Sequence, residues 1–389
     1  MINEVMKNLI IVFAIVFINE GFFSQKFDSI KELKTFEKTT SKLLLNDVFL
    51  KSDNLNPLND RQNESISTII EQETTTYIKS YSPGNLSSIS IRGGNSQQTS
   101  LVYNDFILNN PLNGIVDLST FPSVFFNSVN IMYGMPTSNW GNGGLSGAIN
   151  LENKNSNQSF IEIGSNYGSF NQNSNYIKIN YLGNQISSSF KIFRHSAENN
   201  FKYQDLNEEY KYQENSSINQ IAFMTDTKVR FSKSTLDFTY FGQLLDRQIP
   251  KTILEANSSA FQKDENHRFF ISLKQPIKNF LLEFKTTFYN EVNRYNDSVR
   301  AIYSLNPCNT LLNQIIFSKK IGNFNRLRVN LTHFIARSYG NNYSSNVQIN
   351  RLSLNSIYKI KKPKNRIHHL FNVRVLIDEN YLSPLTFSY

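Results

Sequence analysis

The sequence predicts a small α+β domain over residues 57–153, followed over residues 154–389 by an antiparallel β-sheet of regularly alternating strands. Three observations predict this. The first part mixes one helical stretch with short β-type runs that glycine and asparagine turns separate. The second part repeats segments of roughly ten residues in which apolar and polar side chains alternate, which puts one set on each face of a strand. After residue 25, no apolar run reaches the roughly 18 residues of a spanning helix, so a membrane crossing would need a closed barrel.

Composition leaves two classes of β-protein open. Hydrophobic residues make up 39% of the chain and the mean hydropathy is -0.39, with 31 phenylalanines and 19 tyrosines against one tryptophan. Aromatic-rich alternating strands are typical of outer-membrane barrels. A soluble all-β protein, such as a lectin or adhesin sandwich, has the same composition.

Charge and cysteine content exclude several kinds of site. The net charge of +9 comes from scattered lysines and arginines, without a basic run that aromatic residues interrupt, so no nucleic-acid partner is expected. The single cysteine, Cys308, excludes an internal disulfide and a thiolate zinc cluster.

The N-terminus reads as an export signal and a leader. Residues 1–24 resemble a secretory signal peptide, with Lys7 before an apolar run over residues 9–18 and Ser24 at the expected cleavage point. Phe22 stands where a small residue is usual, so an uncleaved membrane anchor is the alternative. Residues 25–56 form a polar leader with an apolar segment over 43–50, of the kind that adds as a strand to a partner's sheet edge.

The domain over residues 57–153 is predicted from its turns. A short helix followed by an extended piece is expected within residues 65–81. Short β-type runs follow, separated by tight loops, over residues 89–91, 99–103, 129–132 and 147–151.

The second part is a series of amphipathic strands. Leu236, Phe238 and Tyr240, for example, alternate with Asp237 and Thr239. The same rhythm recurs over residues 282–288, 327–332 and 371–375. The charged face would line the lumen of a membrane barrel or meet water in a soluble sandwich, and alternation alone does not separate these cases.

The number and spacing of the strands suggest an incomplete barrel. We count about eleven segments between residues 158 and 380, whereas bacterial single-chain barrels have an even number of strands. Polar stretches over residues 196–216 and 250–266 suit long extracellular loops, and residues 183–184 and 322–323 suit tight periplasmic turns. We therefore expect a truncated transmembrane β-barrel if the chain enters a membrane.

The segment over residues 77–151 contains an ordered set of motifs: Ile91-Arg92-Gly93-Gly94, Leu101-Val102-Tyr103-Asn104-Asp105, Asn113-Gly114, Val129-Asn130-Ile131-Met132-Tyr133-Gly134, and a closing glycine-rich run from Gly141 to Leu151. With this set, the segment resembles the plug domain of TonB-dependent receptors. A single glycine motif is weak evidence, but the set occurs in the family's order and at family-like spacing.

The resemblance implies a fold and a function. It implies an α+β plug inside an antiparallel barrel in the outer membrane, with no cofactor and no enzymatic activity. Partners would be membrane lipid, a TonB-type energy-transducing protein and a small-molecule or metal-chelate ligand. The ligand would be scarce, such as cobalamin or an iron–siderophore complex.

The resemblance also implies roles for particular residues. Asp47, Val48 and Phe49 would form the strand offered to the TonB-type partner. Plug integrity would depend on four residues: Arg92, Gly93, Gly134 and Gly147. Ligand contacts would come from loop residues Asn95, Ser96, Gln97, Asn110 and Asn113. An arginine followed by two glycines suits a salt bridge to an acid on the plug or wall, which makes a structural role for Arg92 the stronger alternative to ligand contact.

Two departures from the family leave an alternative open. Phe106 stands where the family usually has glycine after the acid, so that turn is expected to differ. The chain after the plug is also short for the family's barrels, which have about 22 strands. The alternative is a truncated or split receptor fragment without transport activity, acting as a binding or structural protein. The five histidines are scattered, and no nucleophile elbow, phosphate loop or metalloprotease helix occurs, so neither an enzyme nor a metal site is expected.

Overall fold

The computed structural model describes residues 52–55, 61–133, 144–153, 156–252, 255, 257–322, 325–343, 345–361, 368–378, 381–382 and 386–388. All of them belong to one compact unit, residues 47–389. The predicted signal peptide over residues 1–24 lies outside the described residues, as does nearly all of the leader.

The N-terminal domain, called the plug domain below, contains one helix and two small sheets. Helix α1 (Ile66–Glu73) is capped at its N-terminus by Ser65, whose hydroxyl accepts a hydrogen bond from the Thr68 amide at 3.3 Å. Such an N-cap satisfies a backbone donor that the first turn leaves unpaired. Ile66, Ile69 and Ile70 are buried, so α1 packs its apolar face into the domain core. The predicted helix and extended piece are confirmed.

The strands of the plug domain follow the predicted runs. They are β1 (Ser52–Leu55), β2 (Tyr77–Ser80), β3 (Ser87–Ser90), β4 (Thr99–Tyr103), β5 (Phe106–Ile107), β6 (Ser128–Tyr133) and β7 (Gly147–Glu152). Five of them form a sheet in the order β1-β6-β7-β4-β5, and β2 and β3 form a separate hairpin. Within the sheet β4 and β7 are parallel, and the other pairs are antiparallel.

The larger sheet, called the wall below, is antiparallel and follows chain order. Its long strands are β8 (Phe160–Gly168), β9 (Gln172–Leu182), β10 (Ile186–Ala197), β13 (Ile218–Phe231), β14 (Ser234–Gln248), β15 (Phe261–Ile277), β16 (Phe280–Asp297), β17 (Ile302–Ile321), β18 (Asn325–Ser338), β19 (Val347–Lys361) and β20 (His368–Asp378), and a separate hairpin of β11 (Lys202–Gln204) and β12 (Tyr210–Tyr212) interrupts the series. Two short strands, β21 (Tyr381–Leu382) and β22 (Thr386–Ser388), pair with β20. The eleven long strands match the predicted count.

The two faces of the wall differ in chemistry, as the alternation predicts. One face exposes large apolar side chains, among them Ile163, Phe238, Phe269, Phe288 and Leu354. The opposite face buries polar and charged side chains, among them Asp226, Gln243, Arg268, Glu291 and Gln314. Because these polar groups point toward the plug domain, the apolar face is the outer one, as in a barrel that meets lipid.

The ends of the wall strands differ as well. At the turn end, residues 232–233 and 278–279 join strands tightly. At the loop end the strand ends lie farther apart along the chain, since β10 ends at Ala197 before β13 begins at Ile218, and β14 ends at Gln248 before β15 begins at Phe261. The predicted polar stretches were too long in two places, because β10 continues to Ala197 and β15 already begins at Phe261.

Candidate functional site

Apolar packing joins the plug domain to the wall. One buried cluster includes Phe121 and Phe125 of the plug domain and Phe241 of the wall. The Phe125 and Phe241 rings meet edge to face, with centroids 5.6 Å apart. Tyr103 packs in the same way against Phe270, at 5.1 Å. Aromatic pairs of this geometry add to the free energy of apolar burial, so the plug domain and the wall share one core.

A buried arginine on the wall binds an acid of the plug domain. The Arg247 guanidinium donates to Asp117 at 2.7 Å and to Asp264 on the next wall strand at 3.3 Å. The second oxygen of Asp117 accepts the amides of Ser87 and Ser119, both at 3.0 Å. Asp117 therefore ties β3, a 3-10 turn (Leu118–Thr120) and the wall together at one carboxylate.

A second buried arginine organises polar contacts nearby. Arg268 binds Glu291 through two nitrogens, at 2.9 and 2.6 Å, and donates to Gln243 Oε1 at 2.8 Å. Gln243 in turn donates to the main-chain oxygen of Thr120, which also accepts a hydrogen bond from Gln220 at 2.8 Å. Two neighbouring wall strands thus hold one backbone atom of the plug domain.

The Asn104–Asp105 turn of the plug domain carries a third ionic contact. Both residues have positive φ, 52° and 70°, which suits a tight two-residue hairpin. Asp105 forms an ion pair with Lys285, and Arg328 approaches the same oxygen at 3.6 Å. Phe106, where the family usually has glycine, is the first residue of β5 and is buried. The turn at this departure therefore closes a hairpin.

A fourth contact surrounds a buried tyrosine. The Tyr103 hydroxyl donates to Asp226 of the wall at 3.2 Å, and Asn153 donates to the other oxygen of that carboxylate. Burial raises the pKa of the Tyr103 phenol well above its ordinary value, and the negative charge of Asp226 acts in the same direction. Lys191 donates to the Phe125 carbonyl and to Asn153 Oδ1, both at 2.8 Å.

The structure describes three of the four residues predicted to maintain the plug domain, namely Arg92, Gly93 and Gly147. The Arg92 guanidinium lies over the Tyr133 ring, 5.4 Å from its centroid, and no ion pair of Arg92 is found among the described residues. Gly93 has φ +76°, a conformation that favours glycine. A Cβ at Gly147 would lie 2.7 Å from the Met132 carbonyl oxygen, so a side chain has no room there. Gly134 lies outside the described residues.

The predicted ligand loops lie side by side. Gln97 Nε2 donates to the Asn113 carbonyl at 2.9 Å, which joins the loop that contains Asn95 and Ser96 to the loop that contains Asn110. Local contacts occupy several of these side chains. Asn95 caps a 3-10 turn (Ser96–Gln98), and Asn113 Oδ1 accepts the amide of residue 115 at 2.9 Å.

Among the described residues, a hydrogen bond joins the wall to these loops where Asn110 donates to Glu291 at 3.5 Å. Asn109 fixes the spacing between the loops. Its amide accepts from Leu101 N and donates to the carbonyls of Thr99 and Gly114, each at 2.9 Å.

The predicted partner-docking residues Asp47, Val48 and Phe49 lie outside the described residues. The first described strand, β1, follows them and pairs with the edge of β6. The Tyr133 hydroxyl donates to Asp53 on β1 and lies 3.3 Å from the Thr76 hydroxyl. The segment after the predicted docking strand is therefore part of the plug sheet.

The residues that join the plug domain to the wall were not predicted as site residues. Asp105 and Asp117 stand within the family motifs, but nothing in the motifs names their partners. The sequence does indicate which face Arg247 and Arg268 occupy. Arg247 lies an even number of residues from Phe241 on its strand, and Arg268 lies two residues from Phe270, so both arginines are on the inner face with these phenylalanines.

Two kinds of feature are absent from the part of the chain that the structure describes. No group of three or more histidine, cysteine, aspartate or glutamate side chains is arranged to hold a metal ion there. No helix in that part has the length and apolarity needed to cross a membrane.

Comparison with known proteins gives the same architecture. A family model described as the TonB-dependent Receptor Plug Domain matches residues 56–148. No curated protein matches the chain. Among solved structures, the siderophore receptor PiuA from Acinetobacter baumannii is similar, with a TM-score of 0.61 and 13% identity, and the match covers 84% of this chain and 57% of that receptor.

Two further solved structures are similar. The FrpB iron transporter from Neisseria meningitidis has a TM-score of 0.69 and 10% identity, covering 87% of this chain and 60% of that protein. The ferric enterobactin receptor PfeA from Pseudomonas aeruginosa has a TM-score of 0.66 and 11% identity, covering 90% and 59%. At these identities the likeness is one of fold, and the chain spans less than two thirds of each receptor's length.

Proposed function

Because the chain carries the plug domain of TonB-dependent receptors within the fold of those receptors, we propose that it serves in the outer membrane in energy-coupled uptake of a scarce ligand. The observation that carries this proposal is the contrast between the two wall faces. Apolar side chains such as Phe288 cover the outer face, whereas buried polar groups such as Gln243 meet the plug domain. An outer face of this kind suits lipid.

The proposed ligand is a small molecule or metal chelate, such as cobalamin or an iron–siderophore complex. Support comes from the similar receptors, whose names refer to siderophore, iron and ferric enterobactin. The loops with Asn95, Ser96, Gln97, Asn110 and Asn113 are the proposed contact surface. Their amides have donor and acceptor groups that suit polar ligands.

Opening of the lumen is proposed to begin at the leader. A TonB-type protein from the inner membrane would pair with Asp47, Val48 and Phe49 as an added strand. Pulling on that strand loads β1, which is an edge strand and pairs only with β6 among the described strands. An edge strand separates one backbone pair at a time, so it is a favourable place for force to enter the plug domain.

Uptake and partner docking are tested together. Bacteria that lack their own receptors would express the chain, and accumulation of radiolabelled cobalamin and ferric siderophores would be measured. We expect uptake by the natural chain and none by Val48→Pro, because proline removes a backbone donor from the docking strand. Val48→Ile, which keeps the donor, is the matched control.

The alternative is a receptor fragment that binds partner or ligand without transport. The matches cover 57% and 60% of two of the similar receptors. It predicts cross-linking of the leader to the TonB-type protein, abolished by Val48→Pro, with no uptake. Recovery of the protein in the soluble fraction without detergent would reject both functions in favour of a soluble sandwich.

A further inference from the structure

A continuous series of hydrogen bonds runs from one of the proposed ligand loops to a point where the wall holds the plug domain. It begins at Asn110, whose Nδ2 donates to Glu291 Oε2 on β16 at 3.5 Å. Glu291 Oε1 accepts two hydrogen bonds from Arg268 on β15, and Arg268 donates to Gln243 on β14. Gln243 then donates to the Thr120 carbonyl. The series therefore leaves the plug domain at one loop, crosses three adjacent wall strands and returns to the plug domain.

The wall members of this series are shielded from water. Arg268, Glu291 and Gln243 are 4%, 5% and 1% exposed. The Arg268 guanidinium also lies over the rings of Phe121 and Phe241, 5.4 and 5.5 Å from their centroids. Because water is a poor substitute for a lost partner at such depth, a change at one member is felt by the others.

Each member fixes the orientation of the next. A carboxylate only accepts hydrogen bonds, and a guanidinium only donates them. Since Arg268 donates to the amide oxygen of Gln243, the amide nitrogen of that side chain faces the Thr120 carbonyl. A reversed amide would set two oxygen atoms against each other. The hydrogen bond from Gln243 to Thr120 therefore depends on the position of Arg268.

The loop end of the series has one orientation as well. Asn110 Oδ1 accepts the amide of Leu112 at 2.9 Å, so Nδ2 is the group that points at Glu291. Asn110 is only half-buried. The 3.5 Å contact is long for a hydrogen bond. An acceptor atom of a bound ligand would compete with Glu291 for this donor.

Glu291 has a second arrangement within reach. Nε and one terminal nitrogen of Arg268 share the single oxygen Oε1, at 2.9 and 2.6 Å, while Oε2 faces Asn110. After withdrawal of Asn110, rotation of the carboxylate lets both oxygens accept, in the parallel two-bond geometry that arginine and carboxylate favour. That rotation moves the guanidinium relative to Gln243.

We propose that Glu291 and Arg268 are positioning residues that couple the loop of Asn110 to the attachment at Thr120, so that a ligand engaging the Asn110 amide loosens the plug domain. The inference rests on the proposed uptake function and names how ligand binding would regulate it. Such coupling is reciprocal, so a loosened attachment also changes the affinity of the loop for its ligand.

The test is hydrogen–deuterium exchange of the Phe121 amide in the full chain, in nonionic detergent and without ligand, followed by mass spectrometry. This amide donates to the Leu118 carbonyl at 3.3 Å, next to the attachment. Asn110→Ala removes the donor, as a ligand would. We expect roughly fivefold faster exchange, the equivalent of one ordinary hydrogen bond, because Gln243 then holds Thr120 poorly while Gln220 remains.

The matched control is Asn113→Ala in the same loop. Asn113 is exposed, and its side chain accepts the amide of residue 115. Exchange of the Phe121 amide should change less than about twofold, as is usual for a surface substitution. Equal acceleration by Asn110→Ala and Asn113→Ala would overturn the proposal.

A double variant tests the path itself. Gln243→Met removes the link to Thr120, so adding Asn110→Ala to it should accelerate exchange by less than about twofold more. Full multiplication of the two effects would show that Asn110 acts by another route and would sink the coupling. Circular dichroism checks that Gln243→Met folds. If it does not fold, the comparison of the two loop variants decides the question.

The exchange test and the uptake assay fail separately. A chain that imports a ligand but exchanges equally in both loop variants keeps the proposed function and loses the coupling. A chain that shows the coupling without uptake keeps Glu291 and Arg268 as positioning residues and loses the transport function.

Discussion

Replacement of Arg247 by methionine is expected to loosen the plug domain at its principal ionic contact. The substitution keeps much of the side-chain volume and removes the charge between Asp117 and Asp264. Both acids are largely buried, with side-chain exposures of 14% and 12%. Removing one member of a buried pair costs about 3–5 kcal/mol, because the remaining charge is left without its counterion.

The lower end of that range applies here. Asp117 keeps the Ser87 and Ser119 amides, and Asp264 keeps the Asn293 amide at 2.6 Å. A loss of about 3 kcal/mol corresponds to local opening that is roughly 150-fold more frequent. The readout is hydrogen–deuterium exchange of the Ser87 and Ser119 amides in detergent micelles, followed by mass spectrometry.

Two controls bracket the measurement. Lys263→Met breaks an exposed pair with Asp246 at 3.4 Å, and should change exchange by no more than about fivefold, since exposed pairs contribute at most about 1 kcal/mol. Asp117→Asn added to Arg247→Met should recover part of the protection, because the amide keeps the oxygen that caps the turn. If Arg247→Met accelerates exchange no more than Lys263→Met does, the contact does not hold the plug domain.

Three further results are expected. Phe288→Arg on the outer face should lower the free energy of unfolding in liposomes by about 2–4 kcal/mol. The protease-resistant fraction measures this change, and Leu206→Arg in an exposed loop should leave that fraction unchanged. Gly147→Ala should lower the free energy of unfolding of the plug domain by about 1–3 kcal/mol through overpacking. Gly93→Ala should lower it by about 1–2 kcal/mol through its positive φ alone. Equal stability of Gly147→Ala and the natural chain in thermal unfolding would contradict the close approach to the Met132 carbonyl. Since burial raises the pKa of Tyr103, its stabilising contribution is complete below the ordinary phenol pKa of about 10 and falls as pH rises above it; circular dichroism should show a shallower alkaline decline for Tyr103→Phe.

Local pattern predicted most of the fold. Period-two alternation around Phe238 predicted the strand and its two chemically different faces, and the contacts with the plug domain then identified the apolar face as the outer one. Glycine and asparagine turns marked the strands of the plug domain. The predicted loop bounds were wrong where polar residues continue a strand, because residues 262–266 are hydrophilic yet pair in register with β14 and β16. Polarity alone does not separate a loop from the hydrophilic end of a long strand.

The contacts between the plug domain and the wall could not be predicted from the sequence, for a different reason. Asp117 and Arg247 are far apart along the chain, and their pairing depends on how the wall curves around the plug domain. For Arg92, the motif predicts an acidic partner, and the structure places its guanidinium over the Tyr133 ring, a contact that no motif indicates.

The two hydrogen bonds to the Thr120 carbonyl have a consequence for divergence of the sequence. Gln220 and Gln243 donate to its main-chain oxygen, an atom that every amino acid provides. Substitutions at position 120 therefore leave that attachment chemically intact, whereas a change at either glutamine removes a donor. Over evolutionary time, the requirement to keep this attachment rests on the two wall strands, because the plug domain supplies only a main-chain atom to it.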